Sequence, residues 1–385
     1  MSTAVIAGFV RTPFHFAKKG KLMSVRPDDL AAIAIKELIK RTGVEPTLIE
    51  DVIMGCAYPE AEQGNNVARI ASLLAGLPQT LGGATVNRFC GSSMTGIHYA
   101  AGQIAIDAGD AFICAGVESM TRVPQGGMTP SPNPRFKRPD NSTGDLQTEA
   151  YISMGRTAEN VATRYGVSRV EQEQFAVESQ QKAAAAQTGG RLKSEIVAVA
   201  TPEGLVETDG CLRPQTTLEG LAQLKPAFFE TGTVTAGTAS PLTDGAVATL
   251  VCSEEFARHH KLTVFARIRA VAVAGCEPEY MGMGPVPATR KALARAGLKI
   301  DDIDIVEINE AFSSQAIACA RELGIKSDRV NLDGGAIALG HPLGATGARI
   351  TAKAAQLLRR EGKRYALATQ CVGGGQGVAT ILEAV

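Results

Sequence analysis

Apolar positions along the chain fall into two patterns. Short continuous runs, at Val5–Val10, Ile49–Met54, Ala111–Gly116 and Ala246–Cys252, read as buried strands. Between them the apolar period changes to that of a helix. In Asp28–Arg41, Leu30, Ile33, Ala34, Glu37 and Leu38 bracket one face before Thr42-Gly43 stops the element. Asn65–Leu74, Thr95–Ala108, Gly155–Tyr165 and Arg169–Gln187 read the same way. This alternation predicts α/β layering around a mostly parallel sheet. The pattern lapses twice. Thr121 to about Thr148 is rich in Pro, Gly, Ser and Asn, and Thr208–Phe229 is again irregular. Residues 121–235 therefore read as an inserted loop domain carried on the first α/β unit, and a stretch of that kind is usually functional.

The second half repeats the first. Leu38 to Gly55 and Ala292 to Asn309 share a helix end, a glycine turn and a strand, with Gly43 matching Gly297 and Val52 matching Val306 at a separation of 254 residues. Thr95-Gly96 and Thr346-Gly347 each open a helix leading to a strand, at a separation of 251. Two related α/β domains are expected, one from residues 1–120 with about 236–262 and the other from 263–385. Their junction is where a ligand site would form.

Composition narrows the function. Apolar residues make up 45% and charged residues 20%, with 39 Lys plus Arg against 39 Asp plus Glu. That balance gives no sign of a nucleic-acid or membrane-surface partner, and it is compatible with self-association. No apolar run is long enough to span a bilayer. The eight cysteines are scattered, without a C-x-x-C pair or zinc-like Cys/His spacing, so no metal site and no disulfide framework is expected. The chain enters a strand almost at once, with no leader pattern. The expectation is a reducing, cytoplasmic setting in which thiols can act as catalysts.

Cys90 lies in Asn87-Arg88-Phe89-Cys90-Gly91-Ser92-Ser93, where a strand or loop turns into a helix. Unpaired N–H groups and the helix dipole at such a place would lower a thiol pKa, and small neighbours would admit a carbonyl. Gly334 to Gly347 is dense in glycine around His341, which could take a proton from a nearby thiol or donate to a carbonyl oxygen. A phosphate cradle with an incidental histidine is the other reading, but neither G-x-G-x-x-G after a strand nor a Walker lysine is present. Cys371 precedes Gly373-Gly374-Gly375. Its thiol could move protons near neutrality and the glycines could expose N–H donors, or it could be a buried thiol beside a turn. Asn309 could hold a water or polarise a carbonyl, or cap the following helix. Ser240 could bond a ligand amide or make a turn. Cys56, Cys114, Cys252, Cys276 and Cys319, with His15, His98, His259 and His260, read as structural.

Four of these blocks, Asn87–Ser93, Asn309-Glu310-Ala311-Phe312, Gly340-His341-Pro342-Leu343-Gly344 and Cys371–Gly375, resemble the four signature blocks of the thiolase family, in the family's order. The resemblance runs over essentially the whole chain. It implies a five-layered αβαβα fold from two pseudo-symmetric domains with an inserted loop domain, and thiolysis of 3-ketoacyl-CoA by coenzyme A. By the same resemblance Cys90 is the nucleophile, His341 activates it, Cys371 is the acid/base, and Asn309 holds a water in one oxyanion hole. The N–H groups of Cys90 and Gly373 form the second hole. Coenzyme A enters as substrate, with no permanently bound cofactor. Arg213, Ser240, Met154, Phe228 and Phe312 are the implied CoA and acyl contacts. Thiolases form homodimers or homotetramers, and degradative ones can join a β-oxidation multienzyme complex. Short-chain biosynthetic members carry His-Met-Gly where this chain has Ser153-Met154-Gly155, which favours the degradative group. An acetoacetyl-CoA thiolase (acetyl-CoA C-acetyltransferase) and a non-catalytic acyl-CoA or lipid binding protein are the alternatives.

Overall fold

The computed structural model describes residues 2–136 and 146–385; residues 137–145, inside the first irregular stretch, lie outside the described residues. The first part of the chain forms β1 (Ala4–Arg11), β2 (His15–Phe16), α1 (Pro27–Thr42), β3 (Asp51–Gly55), α2 (Val67–Leu74), β4 (Ala84–Val86), α3 (Ser92–Ala105) and β5 (Ala111–Ser119). Then come α4 (Met154–Arg164), α5 (Arg169–Thr188), β6 (Val199–Thr201), β7 (Gly204–Val206) and α6 (Leu218–Ala222). The rest forms β8 (Thr243–Ser253), α7 (Glu254–His259), β9 (Ala266–Gly275), α8 (Pro285–Ala296), β10 (Ile305–Ile308), α9 (Ser313–Leu323), α10 (Ala336–Leu339), α11 (Leu343–Glu361), β11 (Tyr365–Val372) and β12 (Gln376–Glu383).

Strands β1, β8, β5, β3 and β4 lie side by side, as do β10, β11, β12 and β9, and the two sets meet only where Val5 and Ile6 pair with Arg267 and Ala266. The strands are buried on both faces, which is why they read as continuous apolar runs. In β5, Ala111, Ile113, Ala115 and Val117 pack outward against α1 and α2, while Phe112 and Cys114 pack inward. In β11, Ala366 and Ala368 face the same inner layer and Leu367 faces α8 and α9. Helices α3 and α11 fill that inner layer. The order α1/α2, sheet, α3/α11, sheet, α8/α9 gives five layers.

The sheet is mixed, not mostly parallel. Only the β3–β4, β3–β5 and β10–β11 pairs are parallel. Gly374 and Gly375, at φ 76° and 79°, turn β11 straight back into β12, so that edge is antiparallel. Other departures are local. Helix α2 starts at Val67 because Asn65 and Asn66 take left-handed conformations at φ 52° and 55°. Helix α3 begins at Ser92, ahead of its apolar period, and the stretch 208–229 contains α6.

The internal repeat is visible in the caps. Helices α1 and α8 end at Gly43 and Gly297, with φ 68° and 69°, so each glycine takes the left-handed closing position. The first residues of α3 and α11, Ser92 and Leu343, are separated by 251 residues, the separation that also relates Thr95 to Thr346. The intervening α4 and α5 pack on α9, and α5 also packs on α10, so this segment leans on the second half of the chain.

Candidate active site

Cys90 and His341 also stand 251 residues apart, each two positions before its central helix. Each follows a residue in the left-handed region: Phe89 at φ 43° and Gly340 at φ 101°. Glycine adopts that conformation freely, whereas a phenylalanine held there costs about 1–3 kcal/mol. The turn that holds Phe89 is closed by its own neighbours. Asn87 Oδ1 accepts from the Phe89 N–H at 2.9 Å, and the Ser92 hydroxyl accepts from the Arg88 N–H at 2.9 Å while donating to the Phe89 carbonyl at 2.6 Å.

The Cys90 thiol is half-buried, and its sulfur accepts from its own N–H and from that of Gly373. The expected lowering of its pKa does not occur. Burial, with the Glu118 charge adding to it, pushes the thiol up to about 12, and the two N–H donors only moderate this. Cys371 is fully buried at the end of β11, and burial followed by the neighbouring Cys90 raises its thiol well above the usual range. Both cysteines are therefore neutral thiols at pH 7, rather than groups poised near neutrality.

His341 is held on both ring nitrogens. Nδ1 lies 2.6 Å from the Thr346 hydroxyl, and that hydroxyl lies 3.0 Å from the Pro342 carbonyl. The hydroxyl has one hydrogen, which goes to the carbonyl, so Nδ1–H donates to Thr346 and Nε2 carries the lone pair. Nε2 faces the Asn309 amide at 3.3 Å. The His341 N–H donates to the Thr243 hydroxyl at 3.0 Å. Burial, then the Arg349 charge, lowers the imidazole to about 3, so it rests neutral. Asn309 Oδ1 is buried without a hydrogen-bond partner among the described residues.

Apolar residues wall the other side. Met154 and Ala239 pack with Phe312 and Cys371, and the Phe228 ring meets Phe312 edge-on at 6.0 Å. A Cβ on Gly155 would overlap the Phe228 ring as it stands, so any larger residue there must displace the ring. The Ser240 N–H donates to the Ala311 carbonyl at 3.0 Å, which sets its loop beside Phe312. Arg213 stands apart: its N–H donates to Gln180 and its guanidinium to the Ile337 carbonyl, on the α5–α10 side.

Three partners escaped the sequence reading. Thr346 fixes the imidazole, and the Gln370 amide donates to the Cys90 carbonyl. Glu118 sits fully buried beside the cysteine loop. A carboxylate in an otherwise apolar run, Ala111 to Val117 followed by Glu118, was the available signal.

The fold and these loops place the chain in a known class: it belongs to the thiolase family. A model of the thiolase N-terminal domain matches residues 4–255, and one of the thiolase C-terminal domain matches 262–384. Among individual relatives, the chain is 46% identical to a 3-ketoacyl-CoA thiolase of Bacillus subtilis (strain 168) and 47% identical to one of Pseudoalteromonas translucida (strain TAC 125), with all of both chains covered in each case. The human mitochondrial 3-ketoacyl-CoA thiolase, solved in complex with CoA, superposes with a TM-score of 0.90 at 37% identity, covering 100% of this chain and 98% of that one.

Proposed function

We propose that the chain is a 3-ketoacyl-CoA thiolase, an acyltransferase that cleaves 3-ketoacyl-CoA with coenzyme A to give a shortened acyl-CoA and acetyl-CoA. The observation that carries this is the convergence of Cys90, the Asn309–His341 pair and, from the end of β11, Cys371 onto the N-terminal ends of α3 and α11. Full-length likeness to proteins of that name supports it.

The neutral pair of Cys90 and His341 defines the first step. Nε2 takes the Cys90 proton as the sulfur attacks the C3 carbonyl of the substrate. The C2–C3 bond then breaks, leaving the acyl group on sulfur as a thioester. Its electron pair moves onto the acetyl-CoA fragment as an enolate. Negative charge on that thioester oxygen needs fixed donors in a dry place. His341, now carrying a proton on Nε2, is one donor, and a water held by Asn309 is the other. The Cys371 thiol gives its proton to the enolate carbon, releasing acetyl-CoA. Incoming coenzyme A gives its thiol proton to the Cys371 thiolate and attacks the thioester. The N–H groups of Cys90 and Gly373 stabilise the oxyanion of that step. Acyl-CoA leaves, and the Cys90 sulfur recovers its proton from His341. High thiol pKa values suit this sequence, because each thiolate forms only as substrate arrives.

Met154, Phe228 and Phe312 line the acyl and pantetheine path in this reading, and Ser240 and Arg213 contact coenzyme A further out. Ser153 in place of a polar ring beside that path favours longer, apolar acyl chains. We read the chain as two core domains, 1–120 with about 236–262 and 263–385, carrying the 121–235 insertion. A cytoplasmic homodimer or homotetramer serving β-oxidation is the setting this implies. Among the described residues no helix is long and apolar enough to cross a membrane. The test is the initial rate of thiolysis across 3-ketoacyl-CoA chains from four to sixteen carbons, with Cys90→Ala as control. The reading expects turnover that holds or rises beyond four carbons and vanishes in the variant. Turnover confined to four carbons would make it an acetoacetyl-CoA enzyme, and none at any length would remove the enzymatic reading.

A further inference from the structure

We infer that Glu118 is a positioning residue for this reaction, a buried carboxylate that locks the Cys90 loop and the His341 helix into one arrangement. The inference rests on the thiolase reading for its kinetic half only.

Glu118 ends β5 and is fully buried. Five donors converge on it: the Cys56 thiol, at 3.9 Å from Oε1, and four N–H groups. Oε2 accepts from the N–H groups of Ala57 and Gly344, both at 2.8 Å. Oε1 accepts from the Tyr58 N–H at 3.2 Å and from the Gln63 amide at 2.9 Å. Gln63 is itself fixed, its other end accepting from the Ser119 N–H and its amide also reaching the Tyr58 carbonyl. Among the described residues no cation pairs with Glu118. Burial raises the Glu118 carboxyl above the usual carboxylate range, and the N–H donors of Ala57, Gly344, Gln63 and Tyr58 work against it, favouring the ionised form where no cation does so.

The donors come from both sides of the reaction centre. Gly344 lies in the first turn of α11, whose N-cap, Pro342, supplies no side-chain cap. Glu118 therefore performs the capping from another strand, three residues beyond His341. Ala57 and Tyr58 follow β3; the Tyr58 ring lies 6.0 Å from Phe89, and Ala57, Tyr58 and Leu343 pack with Cys90. One carboxylate thus spans the loop beside the nucleophile and the helix behind the base. Gly344 allows the close approach: a Cβ there would lie 2.7 Å from the Cys56 backbone. The charge has a second consequence. The titratable groups around the Cys90 sulfur are Glu118, Cys371, Tyr58 and, as its proton acceptor in the proposed reaction, the neutral His341, with Cys56 against the far side of Glu118. In its ionised form Glu118 opposes thiolate formation at Cys90 in the free enzyme.

Full-length Glu118→Gln and Glu118→Asp proteins test this by two readouts. One is kcat and KM for thiolysis; the other is the pH dependence of Cys90 alkylation by iodoacetamide without substrate, read by peptide mass spectrometry. Glutamine removes the charge and turns a donor towards N–H groups. E118Q is expected to lose kcat about 10- to 100-fold with KM for coenzyme A within about two-fold. Its alkylation midpoint is expected at lower pH. Aspartate keeps the charge but is one methylene too short to reach both Ala57 and Gly344. E118D is expected to lose kcat several-fold with the alkylation midpoint unmoved. Full kcat in E118D overturns the proposal, as does an E118Q enzyme with an unmoved midpoint. If wild-type protein shows no thiolysis, the functional reading fails separately, while the alkylation profiles still decide whether Glu118 governs Cys90.

Discussion

The two halves of this chain put different chemistry on the same scaffold. Cys90 and His341 occupy matching places ahead of α3 and α11, after a residue of positive φ in each case. At the strand ends the halves diverge. A separation of 254 residues pairs Gly55 with Asn309 and Val117 with Cys371. In the first half these positions are small or apolar, and Gly55 has no room for a side chain because the starts of α3 and α11 press against it. In the second half they carry an amide and a thiol that reach the reaction centre. In the proposed reaction one half presents the nucleophile and makes room, and the other supplies the groups that move protons.

The sharpest way to break this comparison is to remove one side at a time. Cys90→Ala should lower thiolysis on the order of 10⁴-fold or more while still exchanging deuterium from solvent into the methyl group of acetyl-CoA, a reaction of the second half alone. Cys371→Ala should lose both. Proton NMR of acetyl-CoA in D₂O reads the difference, and exchange that survived in Cys371→Ala would assign the proton transfer elsewhere.

Next in size is the imidazole. His341→Ala should cost roughly 10²- to 10⁴-fold in kcat, the usual range for a general acid/base. Thr346→Val leaves Nδ1–H without its acceptor and should cost about 1 kcal/mol, or roughly five-fold in kcat, with KM little changed. Equal losses in the two variants would mean that the tautomer is not what Thr346 secures.

A smaller effect is expected at the apolar wall. Gly155→Ala must displace Phe228, a strain of about 1–3 kcal/mol. It should raise KM for long 3-ketoacyl chains more than for short ones, and a uniform rise would separate Phe228 from chain-length choice.

The smallest concerns stability. His98, between α3 and β12, donates or accepts at Thr380 and is held neutral, its pKa lowered to about 3 by burial and then by Arg88. In the unfolded chain it titrates near 6.5. Between those values the unfolded state binds more protons, so stability is complete above pH 6.5 and falls as pH drops. At pH 5 this one group removes about 2 kcal/mol. Buried Glu307, held near 7, works in the opposite direction between pH 4.5 and 7. The isolating comparison is therefore His98→Asn, whose melting temperature should fall less between pH 7 and pH 5 than that of the parent.

Much of this was legible in the chain. The cysteine turn, the glycine-rich histidine loop and the second cysteine are local patterns, and the 254- and 251-residue repeats announced two matched halves. Strand direction was less so, because Gly373–Gly375 served equally well as a source of N–H donors and as the turn that makes β12 antiparallel. Strand β9 carries Arg267 and Arg269 among its apolar residues, so it does not read as a continuous buried run. The thiol pKa went the wrong way because a sequence shows the helix start and hides the burial, and burial wins. Glu118 was passed over because its four N–H donors come from residues 57, 58, 63 and 344, which no local spacing connects.

The measurement closest to the central claim is intact-mass and peptide mass spectrometry of the protein mixed with 3-ketooctanoyl-CoA in the absence of free coenzyme A. The account predicts one equivalent of acetyl-CoA released and a hexanoyl group on Cys90, discharged as hexanoyl-CoA when coenzyme A is added. An acyl group on Cys371, or acetyl-CoA release without any adduct, would contradict it.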